Sequence, residues 1–313
     1  MTTTIDPTRE LVVTREFGAP RDLVLTMWSD PAMITHWWGP FGFTTTTHEM
    51  DFRPGGVWRF TMHGPDGTDY PNFIRYVKTG PDQIEYDHGC DSKSVDFHVV
   101  VTLEEKVGGK TSMEFRMVFP SVEERTRIVE TYGADKGLFQ TVTRLDTLLA
   151  DKQAEDEPFK MALSLPSPTE IRTVRSLRAP KELVFEAFTN PDYIRRWQGP
   201  RDIVCTECTF DARVGGRWTM THERAGEKYR FSGEILEISR PDRLVGTFQY
   251  EDYDPLTNTT TFEEKDGITR VTTISSFTTT ENRDAMLYSG MEHGMVEGYE
   301  RLQEIFDTEG ANI

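Results

Sequence analysis

The chain has 313 residues, more than one hydrophobic core usually organises, and its 36% hydrophobic and 11% aromatic content can pack an interior, so two folded domains are expected and a disordered chain is excluded. The formal charge of −17, from 35 basic and 52 acidic side chains, is shared: residues 1–150 carry 15 basic and 22 acidic groups, and residues 151–313 carry 20 and 30. A surface of that sign repels phosphate backbones and anionic lipid, which excludes nucleic-acid and membrane-surface roles.

The opening MTTTIDPTRE has no cationic segment followed by an apolar run, so no export signal is expected, and no apolar run reaches the roughly 18 residues of a membrane span. LVVTREF (11–17) alternates as a strand. Ala19-Pro20 then starts a helical pattern through Val24, Met27 and Trp28 to Asp30-Pro31, and AMITHWW (32–38) forms a second short helix. Six strand-like runs follow, TTTTHEMDF, VWRFTMH, NFIRYVK, QIEYDHG, VDFHVVVTLEE and TSMEFRMVF, separated by Gly-Gly, Pro-Asp-Gly and Gly-Pro-Asp turn signals. Residues 121–150 read as one long helix, with Ser121 and Glu124 at capping-box spacing and Leu138, Val142, Leu145 and Leu149 on one face.

Residues 151–170 mix charges with three prolines and show neither period, so they are read as a linker between domains at 1–150 and 171–313. Beyond it the first pattern returns. At an offset of 160, Ala19-Pro20 falls on Ala179-Pro180, Pro31 on Pro191, Trp37 on Trp197, Gly39-Pro40 on Gly199-Pro200 and DFRPGGVW on DARVGGRW. The offset falls to 158, matching Phe119 with Phe277, and then to 157, matching Arg144-Leu145 with Arg301-Leu302, as loops change length. Met291, Met295, Leu302 and Phe306 mark the face of the closing helix. The class is α+β: two tandem domains, each a curved antiparallel sheet wrapped around a long C-terminal helix, with two short helices after the first strand.

These motifs, A-P before a helix, N/D-P, W-x-G-P, D-x-R-x-G-G-x-W, P-D and the closing Ser289-Gly290-Met291-Glu292-His293-Gly294, resemble the SRPBCC or START-like helix-grip superfamily. Within it they are similar to the C-terminal domain of the activator of the ninety-kilodalton heat-shock protein ATPase. The resemblance implies a seven-stranded sheet gripping the last helix around a hydrophobic cavity. It also implies a chaperone link for homologues, but no separate N-terminal chaperone-activating domain is expected here, so that role is discounted.

In D-x-R-x-G-G-x-W the Gly-Gly pairs read as turns or bulges rather than phosphate loops, since no Lys-Ser/Thr follows, and Asp51 with Arg53 reads as a structural pair on one strand face. Trp58, Phe60 and Met62 share a strand face, as do Trp218, Met220 and His222; such stripes fill a core or line a cavity. Gly290, Gly294 and Gly298, matched by Gly133, Gly137 and Thr141, leave a stripe without side chains that makes room for the sheet, the other domain or a ligand. The candidate ligand-binding residues are Trp58, Met62, Phe115, Met117, Trp218, His222, Thr273, Ser275 and Met291. Phe115 becomes Thr273 and Met117 becomes Ser275 between the copies, so the second domain is expected to hold the larger and more polar cavity.

Only three cysteines occur, which argues against a disulfide framework and for a reducing cytoplasm. Cys205 and Cys208 lie three apart in a strand run, so alternation is expected to put them on opposite faces, reduced and metal-free. No histidine of the seven aligns between copies and no catalytic residue, cofactor or metal is assigned. The expected function is non-catalytic, cytoplasmic binding of a small hydrophobic or amphipathic molecule. The alternatives are a cyclase-, hydrolase- or isomerase-type enzyme using His222, Tyr229 and Thr273, or an interaction module for a chaperone or for itself.

Overall fold

A computed structural model describes residues 7–309. The opening residues 1–6, part of the stretch read as lacking an export signal, lie outside the described residues. The chain divides into two compact units, Met1–Ala150 and Asp151–Ile313.

The first unit runs β1 (Glu10–Phe17), α1 (Arg21–Ser29), α2 (Pro31–Trp37), β2 (Thr44–Met50), β3 (Val57–His63), β4 (Asp69–Thr79), β5 (Gln83–Gly89), β6 (Phe97–Lys106), β7 (Lys110–Val118), α3 (Val122–Tyr132) and α4 (Ala134–Asp156). Its seven antiparallel strands are ordered β1-β7-β6-β5-β4-β3-β2. The second unit runs β8 (Ala162–Ser164), β9 (Glu170–Leu177), α5 (Lys181–Thr189), α6 (Pro191–Trp197), β10 (Val204–Phe210), β11 (Arg217–Arg224), β12 (Glu227–Ser239), β13 (Arg243–Tyr250), β14 (Leu256–Lys265), β15 (Ile268–Ser276), α7 (Thr280–Tyr288) and α8 (Met291–Glu309). Its order is β10-β11-β12-β13-β14-β15-β9-β8.

The repeated letters are structural joints. Asp30 and Asn190 accept hydrogen bonds from Ala32 N (2.8 Å) and Asp192 N (2.9 Å), and the following proline pre-sets the first helical turn, so N/D-P is a cap. The Trp37 and Trp197 indoles donate to Met27 O and Ala187 O, each at 2.9 Å, and fix the second short helix on the first. In D-x-R-x-G-G-x-W, Gly55 and Gly215 have φ of +81° and +76°, and a Cβ on Gly56 or Gly216 would lie 2.1 Å from Asp51 O or Asp211 O. Only glycine fits both positions. Arg53 and Arg213 pair with Asp51 and Asp211 at 2.8 Å, exposed on the surface.

The closing helices differ from the single long helix expected. Gly133, left-handed at φ +61°, ends α3 before α4, and Gly290 at φ +83° separates α7 from α8. Residues 151–170 are not plain linker: α4 continues to Asp156 through the good helix formers of DKQAED, and β8 pairs Ala162 with Val174, giving the second sheet an eighth strand beyond the seven that the resemblance implies. α3 buries Ile128, whereas α7 buries no side chain.

At Gly137, Gly294 and Gly298 the glycine stripe faces a loop that sequence reading did not name. A Cβ on Gly298 would come 3.1 Å from Trp197 O and 3.4 Å from Gly199 N, and Gly137 and Gly294 face Pro40 and Pro200 at 3.3 and 3.5 Å, so the missing side chains admit the W-x-G-P loop. Arg144 clamps that loop by donating to Gly39 O at 2.8 Å, and Arg301 donates to Gly199 O at 3.1 Å.

Candidate functional site

Strand alternation and register define the concave face of each sheet. In the first unit Val13, Phe115 and Val101 stand abreast on β1, β7 and β6, with Met117 beside Val99 and then Tyr86 on β5. All are apolar or aromatic, and Phe115, Met117, Val99, Val101 and Tyr86 are buried in one continuous core. Trp58 belongs to it, 1% exposed and stacked on Phe60 at 3.9 Å, and Met62 packs half-buried against it. Four of the candidate ligand-binding residues therefore sit in or against a filled interior.

The same places in the second unit are polar. Thr173, Thr273 and Thr260 stand abreast on β9, β15 and β14, Ser275 lies beside Asn258, and Gly246 follows on β13 where Tyr86 stands in the first unit. The hydroxyls pair locally: Thr260 and Thr273 oxygens are 3.0 Å apart, and Ser275 donates to Asn258 Oδ1 at 2.7 Å. Thr273 also engages the Tyr299 hydroxyl of α8, so it faces the helix. Burial pushes Tyr299 up to about 12, against the opposing pull of Thr273 and of Arg175.

With less apolar volume inside, the buried hydrophobics of this unit fall into separate groups. One surrounds Leu177, Phe262, Leu302 and Phe306; another is Ile194, Cys208 and Met220. Trp218 and Phe231 pack against the second group and Met295 against the first, and these three, with Phe248, Asn258, Thr273, Ser275 and Met291, are half-buried. Trp218 lies over Gly233, whose Cβ would meet the indole nitrogen at 2.5 Å. Tyr229 stands apart near the β11–β12 turn, its hydroxyl on Glu227. A depression of about 530 Å³ in the first unit, lined by His48, Arg59, Asn72 and Asp91 among others, includes none of the candidate residues.

His222 is 5% exposed, edge-on to Phe231, with Nε2 sealed from water and without a partner among the described residues. The W-x-G-P glycine lies over it: a Cβ on Gly199 would touch the imidazole at 3.0 Å, and Gly39 lies over Met62 in the first unit in the same way.

The two thiols are not separated. A bulge between Cys205 and Glu207 inserts a residue, so Cys205 opposes His222 and Cys208 opposes Met220, two positions that share one face of β11. Alternation failed because it assumes an unbroken ladder. Hydrogen bonding from Cys208 and then the neighbouring His222 hold the Cys205 thiol below its ordinary value, while its bond to Cys205 and burial push Cys208 up. Cys205 is half-buried and Cys208 is 5% exposed. Iodoacetamide at neutral pH is therefore expected to alkylate Cys205 at least about tenfold faster than Cys208, as read by peptide mass spectrometry; equal rates would contradict this assignment.

Sequence reading missed Thr173, Arg175, Asn258 and Thr260. For Asn258 and Thr260 the signal was present in the repeat, but β14 follows β6 at an offset of 159 that shows only once strands are aligned by their partners, whereas Thr173 and Arg175 match Val13 and Arg15 at the offset of 160 already read.

A curved antiparallel sheet closed by a C-terminal helix, with its inner face turned toward that helix, is the helix-grip architecture, present here twice in tandem. The family description Activator of Hsp90 ATPase homolog 1-like protein matches residues 18–150 and again 178–307, and the chain belongs to this family. Among solved structures, a Rhodobacter sphaeroides protein is similar at 24% identity, covering 48% of this chain and 99% of its own, with a TM-score of 0.46. An Arthrobacter aurescens protein is similar at 25% identity over 48% of this chain and 93% of its own, with a TM-score of 0.43. The AHSA1 protein of Silicibacter pomeroyi is similar at 21% identity over 46% and 99%, with a TM-score of 0.38. No curated protein matches the chain. No helix among the described residues is long and apolar enough to cross a membrane.

Proposed function

We propose that the second domain binds a small amphipathic molecule between its sheet and α8, without covalent chemistry. The observation that carries the reading is the exchange, at matched inner positions, of Val13, Val99, Val101, Phe115 and Met117 for Thr173, Asn258, Thr260, Thr273 and Ser275. These polar groups pair with one another, but the exchange gives up the apolar volume and burial that fill the first copy. A protein that needed only a stable fold has, in its own first copy, the cheaper solution. Trp218 and Met291 supply the apolar wall, and the hydroxyls, Asn258 and the His222 imidazole supply the polar one. A cytoplasmic location belongs to the same reading, supported by three free cysteines.

The test is native mass spectrometry of gently purified, untagged protein, followed by solvent extraction. A retained small molecule that leaves on extraction is the expected result. A chain that carries nothing but co-purifies with a stoichiometric protein partner would favour the chaperone-linked module, and chemical turnover of a retained molecule would favour the enzyme.

A further inference from the structure

The repeat contains its own control for one buried charge. In the first unit Arg15, 8% exposed, has its guanidinium 3.4 Å from Asp146 and 3.3 Å from the Thr143 hydroxyl. Its counterpart on β9 is Arg175, 7% exposed and opposite Val271. The partners are gone. At the offset of 157, Thr143 becomes Glu300 and Asp146 becomes Gln303. Gln303 is turned elsewhere, accepting from Arg178 N at 2.8 Å and donating to Asp307 at 2.7 Å. Glu300 is the nearest acid felt by Arg175, yet it is exposed and lies 3.7 Å from Arg201.

What remains around Arg175 is a receptor without its anion. The Nε is sealed from water and has no partner among the described residues. The guanidinium lies over the Tyr299 ring at 5.6 Å, and Tyr299 in turn reaches Thr273. Thr173 is two residues along β9 on the same face. A guanidinium keeps its proton even when burial disfavours the charge, so it needs a counter-charge, and its planar fork fits a carboxylate.

We infer that Arg175 anchors the carboxylate of the bound amphipathic molecule, its hydrocarbon portion lying toward Trp218 and Met291. The inference rests on the cavity reading above and narrows it to anionic ligands. Tyr299 and Thr273 complete the polar end, and the first domain, where Asp146 already fills this role, has no such seat.

The test uses the full chain with two probes of equal length, dodecanoate and dodecan-1-ol, titrated against tryptophan fluorescence, together with calorimetric melting of the ligand-free protein. Wild-type protein is expected to bind dodecanoate at least tenfold more tightly than the alcohol. Arg175→Met is expected to abolish that preference while melting no lower than wild type, because it removes an unpaired charge. Arg175→Lys is expected to keep part of the preference. Equal binding of both probes by wild type and variant would overturn the anion inference and leave the cavity reading standing. Binding of neither probe would overturn both. A melting point for Arg175→Met several degrees below wild type, or its failure to fold beside a well-folded Arg175→Lys that shows no preference, would make Arg175 a structural residue and overturn the inference.

Discussion

Asp146→Ala is expected to lower the stability of the first domain by about 3–5 kcal/mol, the usual cost of stripping one partner from a buried ion pair. The pair is 8% and 4% exposed at its side chains, so water cannot replace the lost carboxylate. Arg15 would keep the Thr143 hydroxyl at 3.3 Å and the Phe139 ring, 5.5 Å from its centre, neither of which carries a negative charge. Urea unfolding of the full chain followed by tryptophan fluorescence reads this domain preferentially, because Trp28, Trp37, Trp38 and Trp58 lie in it and only Trp197 and Trp218 in the other. A loss below about 1 kcal/mol would mean that the pair is solvated like a surface bridge. The same letter in the two copies then behaves in opposite ways, since the cost attaches to the orphaned charge rather than to arginine.

Thr273→Phe combined with Ser275→Met restores to the second domain the residues that fill the first. Binding of an amphipathic probe such as dodecanoate is expected to fall at least a hundredfold, about 2.7 kcal/mol. The new side chains occupy space between β15 and α8 where Thr273 now meets Tyr299. Stability should change less, because apolar burial is gained while Asn258 Oδ1 and the Thr260 hydroxyl lose the partners they have at 2.7 and 3.0 Å. Unchanged affinity in the folded double variant would place the bound molecule somewhere other than this face.

The repeat was legible because it is written in joints whose chemistry is local: a cap at Asp30 or Asn190, a turn at Gly55-Gly56, an indole anchor at Trp37 or Trp197. Each needs a particular residue type whatever surrounds it. The features that sequence reading missed depend on context. Gly133 and Gly290 looked like members of a packing stripe, and only their positive φ shows that they end helices. The bulge at Cys205 leaves no glycine or proline to mark it, and one added residue reverses the parity of everything before it. Arg175 was illegible for a different reason. It is the same residue as Arg15, and the difference lies in a helix more than a hundred residues away, where a carboxylate has become an amide.

α7 buries no side chain, although its counterpart α3 buries Ile128. Its attachments include the Thr279 cap on Asn282 N, Asn282 on Asp254 at 3.0 Å and Arg283 on Ser167 O at 3.4 Å, with Met286 and Leu287 only half-buried. A segment held in this way opens at a free energy well below that of the sheet. The second domain is therefore expected to open at two rates, a fast one for the helix alone and a slow one for the whole fold. Exchange of the α7 amides ahead of those of the sheet would show that this segment opens without unfolding the domain.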